Sequence, residues 1–319
     1  MMAVEINIKH VAIYLAFAFG IAWGIALILY LSGGLANSPV LLAVPGMQGG
    51  LTLALVLLAG GYMMAPALAH VLTRLVTREG WQGMYLAPRL RQGWPYWLAA
   101  WVLPALFTVL GMAIFFVLFP QHFDASLGTL RAMLGRSLPP GQTLPISPWV
   151  IVVVQTAQAV LIAPLLNGFF TFGEEFGWAG YLQPRLAPLG GRRAMLLVGL
   201  IWGVWHWPII AMGHNYGLSY PAFPWAGLLL TLWVMVIFRA FLGWASLRGG
   251  SVWPAVIGHG ALNGIAGLGL LMVRGQPLAL LGPTPAGLIG SIPWAVAALA
   301  IFLSPGALSV KEQEHGRAQ

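Results

Sequence analysis

Apolar residues recur along this chain in runs of about 20, separated by short stretches rich in Gly, Pro and Arg. A run of that length, rising 1.5 Å per residue as a helix, crosses a hydrocarbon core of ~30 Å. Read in order, the runs predict about eight spanning helices: 10–31, 48–72 with a kink at Pro66, 94–119, 149 to about 182, 194–212, 225–245, 252–273 and 286–304. The first run is longer than the 7–15 residues of a signal-peptide core, so it reads as an uncleaved span. Residues 32–46 read as an uncharged loop and 73–93 as a basic loop. The longest loop is 120–148, where Pro139, Pro140, Gly141 and Pro145 oppose regular structure. No internal repeat and no second soluble domain is visible, so 1–319 reads as a single integral membrane domain.

Composition supports the pattern. The chain is 59% hydrophobic and 7% charged, against roughly 25% charged in soluble domains. The predicted fold class is therefore all-α, a polytopic transmembrane helix bundle surrounded by lipid. A net charge of +8 invites a nucleic-acid reading, but the basic residues sit in short loops beside apolar runs. With the N-terminus inside, the inner segments carry Lys9, Arg74, Arg78, Arg89, Arg91, Arg185, Arg192, Arg193, Arg239, Arg248, Lys311 and Arg317. The outer ones carry only Arg131, Arg136 and Arg274. That is the asymmetry of the positive-inside rule. It predicts both termini in the cytoplasm, excludes nucleic acid as a partner, and suits a multi-pass protein of a cell membrane, read as the bacterial inner membrane. The chain has no cysteine, which removes disulfides and thiolate chemistry.

Only seven residues are acidic, and two of them, Glu174 and Glu175, stand side by side where the uncharged run from Trp149 to Phe172 ends. A charged side chain at mid-bilayer costs roughly 2.5–3.5 kcal/mol on insertion scales and marks a functional site by default. Two histidines lie at matching depth. Glu174 is 11 residues before Arg185, His259 is 11 after Arg248, and His206 is 13 after Arg193. Each is thus roughly 16–20 Å from the inner basic end, in the central to cytoplasmic part of the membrane. His259 and Asn263 are i,i+4 and share a helix face, as do Trp202 and His206, so an indole walls the second imidazole. Neighbouring glutamates point about 100° apart on a helix. One of the pair faces the pocket and the other a partner helix. Gln155, Gln158 and Asn167 are expected to bond to adjacent helices, with Asn167 a candidate lining residue. His214, near an outer loop, is expected to be structural.

The stretches E-E-F-G-W-A-G-Y-L-Q-P-R-L from Glu174, W-G-V-W-H ending at His206, and H-G-A-L-N from His259 resemble the three motifs of the CPBP family. This is the family of CAAX prenyl proteases and bacteriocin-processing or self-immunity proteins, also called ABI. Its motifs are E-E-x-x-x-R, F-x-x-x-H and H-x-x-x-N, and the resemblance covers about 170–265. It implies an intramembrane endopeptidase with a catalytic core at about 149–273. Glu174 would activate a water for attack on a peptide carbonyl, His206 would hold that water, and His259 with Asn263 would stabilise the oxyanion. The substrate would be a membrane-associated protein or peptide. Glu174, His206 and His259 also make a donor set for a divalent ion such as zinc. The resemblance leaves this open, since family members are described both as metalloproteases and as glutamate-dependent enzymes. We favour no tightly bound ion, because Asn263 is a poor ligand and a good donor.

Two positions depart from the family. Trp202 stands where the family has Phe, a flat wall for a flat wall. Ala179 stands where the family has the Arg that lies i,i+4 from Glu175, so the cation on that face is missing. Either Glu175 is protonated, or another arginine reaches it, with Arg239 and Arg185 the candidates. Two rival functions use the same residues. One is an immunity or scaffold protein that binds membrane peptides without cutting them. The other is a proton-coupled transporter, against which the lack of repeat symmetry speaks.

Overall fold

The computed structural model describes residues 6–44, 49–135 and 146–309. The elements are helices joined by short turns. They are α1 (Ile8–Leu31), the short antiparallel pair β1 (Val40–Leu42) and β2 (Leu51–Thr52), α2 (Leu53–Leu57), α3 (Ala65–Thr77), α4 (Leu90–Leu118), α5 (Gly128–Gly135), α6 (Pro148–Leu161), α7 (Ala163–Gly177), α8 (Gln183–Leu186), α9 (Gly191–Ala211), α10 (Trp225–Gly249), α11 (Trp253–Ile265) and α12 (Ile292–Leu303). A π-helical turn, Leu58–Tyr62, follows α2, and a second, Trp178–Leu182, joins α7 to α8. Apart from the short β1–β2 pair the described residues form helices and turns, an α-class, multi-pass membrane bundle.

Among the described residues, six helical stretches are long and apolar enough to span, or seven when the bent α6–α7 pair counts as one. Three boundaries differ from the apolar runs. The fourth run is not one rod: it breaks at Ile162, and the two halves meet at 52°. Pro164 begins the second half, where a missing N–H costs nothing. In the second run the helix passes through the π-turn Leu58–Tyr62, and Pro66 sits in the first turn of α3 rather than inside a helix. The last run forms only the 12 residues of α12, about 18 Å. The loop at 120–148 holds α5, capped by Asp124, while Pro139 to Pro145 lie outside the described residues. The region 32–46 contributes β1.

Burial sorts the helices into layers. Two thirds of the most apolar window of α10 is buried (67%), against 22% for α1. α10 is the central post, packed on α9, α4, α12 and α11, and α11 packs on α7 and α4. Peripheral α1 buries one stripe, Tyr14, Ala18, Ala22, Ala26 and Leu29, spaced by three and four residues. Leu27, Ile28 and Leu31 are left outward, where lipid covers them.

Close approach between helices rests on small residues. A Cβ on Gly173 would lie 2.5 Å from the Met63 carbonyl oxygen, and one on Gly177 would lie 2.4 Å from Pro66 Cβ. These glycines are i,i+4, so one bare face of α7, flanking the glutamates, receives the start of α3. Gly199 and Gly203 serve α9 in the same way against Val236 and Leu232 of α10.

The alternating helices gather the start of α1 and the turns at 78–89, 190 and 250–252 at one end. Glu79 there bridges His10 and Arg185, and the Val252 amide donates to the Tyr85 carbonyl at 2.9 Å. The opposite end holds the segments 119–127, 212–224 and 273–291. Arg274 N–H donates to the His122 carbonyl at 2.8 Å, and the Tyr216 hydroxyl to that of Ala286 at 2.9 Å.

Candidate active site

α7 delivers Glu174 and Glu175 into the interior, with 3% and 0% of their surfaces exposed. Their directions differ, as neighbours on a helix must. Glu174 lines a cavity of about 320 Å³ together with His206, His259 and Asn263. Glu175 points away, into the contact with α10 and α11. The structure therefore brings all four sequence-predicted site residues to one hollow, from α7, α9 and α11. Asn263 is exposed at its edge, while His259 is buried.

Each side chain is held by a named partner. The Trp202 indole Nε1–H donates to Glu174 Oε2 at 2.7 Å. The His206 Nδ1–H donates to the Trp202 carbonyl at 2.8 Å, one turn earlier on α9. The His259 Nδ1–H donates to Glu175 Oε1 at 3.1 Å. A carbonyl or carboxylate can only accept, so both rings carry a proton on Nδ1 and turn Nε2 elsewhere. The indole of Trp202 stands between the two imidazoles, its centroid 5.6 Å from His206 and 5.3 Å from His259. Trp205 closes the far side of His206 at 4.8 Å. Trp202 thus does more than wall the cavity. It contributes a donor that a phenyl ring lacks.

The cation missing at Ala179 comes from another helix. Arg239 of α10, fully buried, donates through Nη1 to Glu175 Oε2 at 2.8 Å. Arg185, the other candidate, pairs with Glu79 at the basic end instead. Glu175 therefore sits between Arg239 and His259. A carboxylate fixing the ring whose other nitrogen is left for chemistry is the logic of a carboxylate–histidine pair.

Other expectations divide. Asn167 bonds to an adjacent helix, its amide donating to the Gly260 carbonyl at 3.1 Å and tying α7 to α11, but it does not line the cavity. Gln155 and Gln158 line a separate groove beside Gly264 and Leu268. His214, read as structural, lies on the cavity with Asn215. No signal in the sequence joins the 212–224 loop to this hollow, because that contact depends on how two loops fold over the bundle.

Among the described residues, no three His, Cys, Asp or Glu side chains gather closely enough to hold a metal ion. Each imidazole keeps Nε2 free and Glu174 keeps Oε1 free, as metal ligands would, but the three side chains are not drawn together into a preformed zinc site.

Comparison with known proteins picks out the same region. No curated protein matches the chain. Residues 148–265 match a family model described as Rce1-like, type II CAAX prenyl endopeptidase Rce1-like. The matched stretch begins with α6, ends with α11, and contains Glu174, Glu175, Trp202, His206, Arg239, His259 and Asn263. Over that stretch, which holds all of these residues, the chain is similar to the type II CAAX prenyl endopeptidases described by that family model.

Proposed function

We propose that this protein is an intramembrane endopeptidase of the CAAX-protease-like type, hydrolysing a peptide bond of a membrane-associated protein or peptide. The observation that carries the reading is the single cavity on which Glu174, His206, His259 and Asn263 converge. Glu174 takes a proton from a water held by His206 Nε2. The water oxygen bonds to the carbonyl carbon, and negative charge moves to the carbonyl oxygen. The Asn263 amide and His259, when Nε2 also carries a proton, donate to that oxygen. Glu175 is the counter-charge to the ring, balanced in turn by Arg239. Donors fixed in a water-poor pocket stabilise such charge far better than in water. The C–N bond then breaks, and Glu174 returns its proton to the leaving amine. Both termini lie on the cytoplasmic side in this reading, in a bacterial inner membrane, and the single domain has its catalytic core at about 149–273.

The test is a panel of membrane-anchored peptides incubated with purified wild type and with Glu174→Ala, products being read by mass spectrometry. Cleavage by wild type that disappears in the variant supports the endopeptidase. Binding of the peptides without cleavage by a folded wild type replaces it with a scaffold, and ion-driven flux in liposomes replaces it with a carrier.

A further inference from the structure

The catalytic cavity is lined by loop residues from one end of the bundle only. Those residues are His214 and Asn215 from the 212–224 segment and Pro285 and Ala286 from the 273–291 segment. Both segments belong to the end opposite the basic one. No residue of the 78–89, 190 or 250–252 turns reaches it. Position along the helices agrees. Its α9 wall runs from Trp202 to Ile209, within two residues of that helix's far end at Ala211, and Leu58 and Tyr62 lie near the start of their span. Towards the basic end the hollow is closed by packed side chains. Trp178, Ala179, Tyr181 and Leu182 are at most 2% exposed, and Arg74, His70 and Glu79 seal the turn below them.

The two ends carry very different charge. Lys9, Arg74, Arg78, Arg89, Arg91, Arg185, Arg192, Arg193 and Arg248 stand at the closed end, and among the described residues only Arg131 and Arg274 stand at the open one. Short flanking loops rich in Lys and Arg stay in the cytoplasm. The open end is then the extracytoplasmic one. The cavity also has no Lys or Arg in its lining. Its mouth offers imidazole and carboxamide groups, which hydrogen-bond a peptide backbone and hold no fixed cation for a headgroup phosphate.

We infer that the active-site cavity is loaded from the extracytoplasmic side of the membrane, and that its substrate is an extracytoplasmic polypeptide segment. Such a segment is a peptide released outside, or the outer juxtamembrane stretch of a membrane protein, rather than the cytoplasmic tail of a lipidated protein. His214 and Asn215 receive it at the mouth. The inference rests on the endopeptidase reading for the word substrate, but not for the side of access.

The natural absence of cysteine makes the test direct. Single cysteines are placed by Leu218→Cys and Ala286→Cys at the open end and by Ala87→Cys at the basic end. Each variant is treated with a charged, membrane-impermeant maleimide on intact cells and again after permeabilisation. We expect positions 218 and 286 to label from outside, and position 87 only after permeabilisation. In sealed vesicles of known orientation, a membrane-anchored peptide should be cut only when its scissile segment lies on the face where position 286 labels from outside. Labelling of position 286 only after permeabilisation overturns the inference, and cleavage persisting in that case leaves the protease reading standing. Outside labelling without cleavage of any peptide by the folded protein overturns the protease reading and the substrate class with it.

Discussion

Trp202 and Arg239 set the behaviour of the two glutamates, and each can be tested singly. Trp202→Phe keeps an aromatic wall between the imidazoles and removes only the 2.7 Å hydrogen bond to Glu174. A hydrogen bond to a charged group contributes about 1.5–3 kcal/mol. We expect kcat to fall by about tenfold or more, with KM and the melting temperature near wild type; steady-state kinetics beside a thermal melt in detergent checks this. Unchanged kcat would reduce Trp202 to a wall. Arg239→Met leaves the Glu175 carboxylate buried beside His259 without its cation. Breaking a buried pair by removing one partner costs about 3–5 kcal/mol, so this variant should melt well below wild type, and Glu175→Gln in the same chain should recover part of the loss. A fully stable Arg239→Met would contradict the pairing. The need for this cation was legible in the sequence, since Ala179 leaves Glu175 bare and Arg239 is a lone charge in an apolar run. The indole donor was not legible, because a Trp beside a His reads equally well as packing until the rotamer is seen.

At the scale of elements, α7 is placed by what its glycines allow to come close. Gly177→Ala would set a methyl 2.4 Å from Pro66 Cβ and 2.5 Å from the Tyr14 hydroxyl. Overpacking of this kind costs about 1–3 kcal/mol, and the shift it forces moves Glu174 away from Trp202. We expect a lower melting temperature and lower activity together. Gly20→Ala is the control: a Cβ there meets nothing within 4 Å, so it should match or exceed wild-type stability. At the open end, Asp124 caps α5. The Ser126 hydroxyl, with the Gly128 and Ser126 amides, holds its carboxyl down at about 2. That is below the roughly 3.9 of an unfolded Asp, so its contribution is complete above about pH 4 and is lost as pH falls through 2. Melts of wild type and Asp124→Asn should differ at pH 6 and converge towards pH 2. The existence and order of the helices were legible from apolar run length. The bend at Ile162 was not, because a proline in a first turn and a proline at a break look alike in sequence, and only the docking of α6 against α11 decides between them.

For the whole molecule, charge and shape point in opposite directions. The basic residues collect where the bundle is packed shut, and the hollow lined by Glu174, His206 and His259 is edged by loops of the other end. Counting residues from the arginines placed Glu174, His206 and His259 at a common depth, and the fold brings them to one cavity. The same count measures distance from one end only and carries nothing about which loops cover the helices. Run length suggested about eight spans, and among the described residues six or seven stretches are long and apolar enough to cross, α12 being short for one.

The central claim is that Glu174 is the base of a hydrolytic site, and Glu174→Gln tests it most directly. The amide keeps the shape of the carboxyl and an oxygen for the Trp202 indole, but cannot take a proton from water. We predict that the purified variant melts like wild type while its cleavage of a membrane-anchored peptide falls by roughly a thousandfold, in line with loss of a general base. A folded Glu174→Gln protein that cuts the same peptide at the wild-type rate would contradict the account.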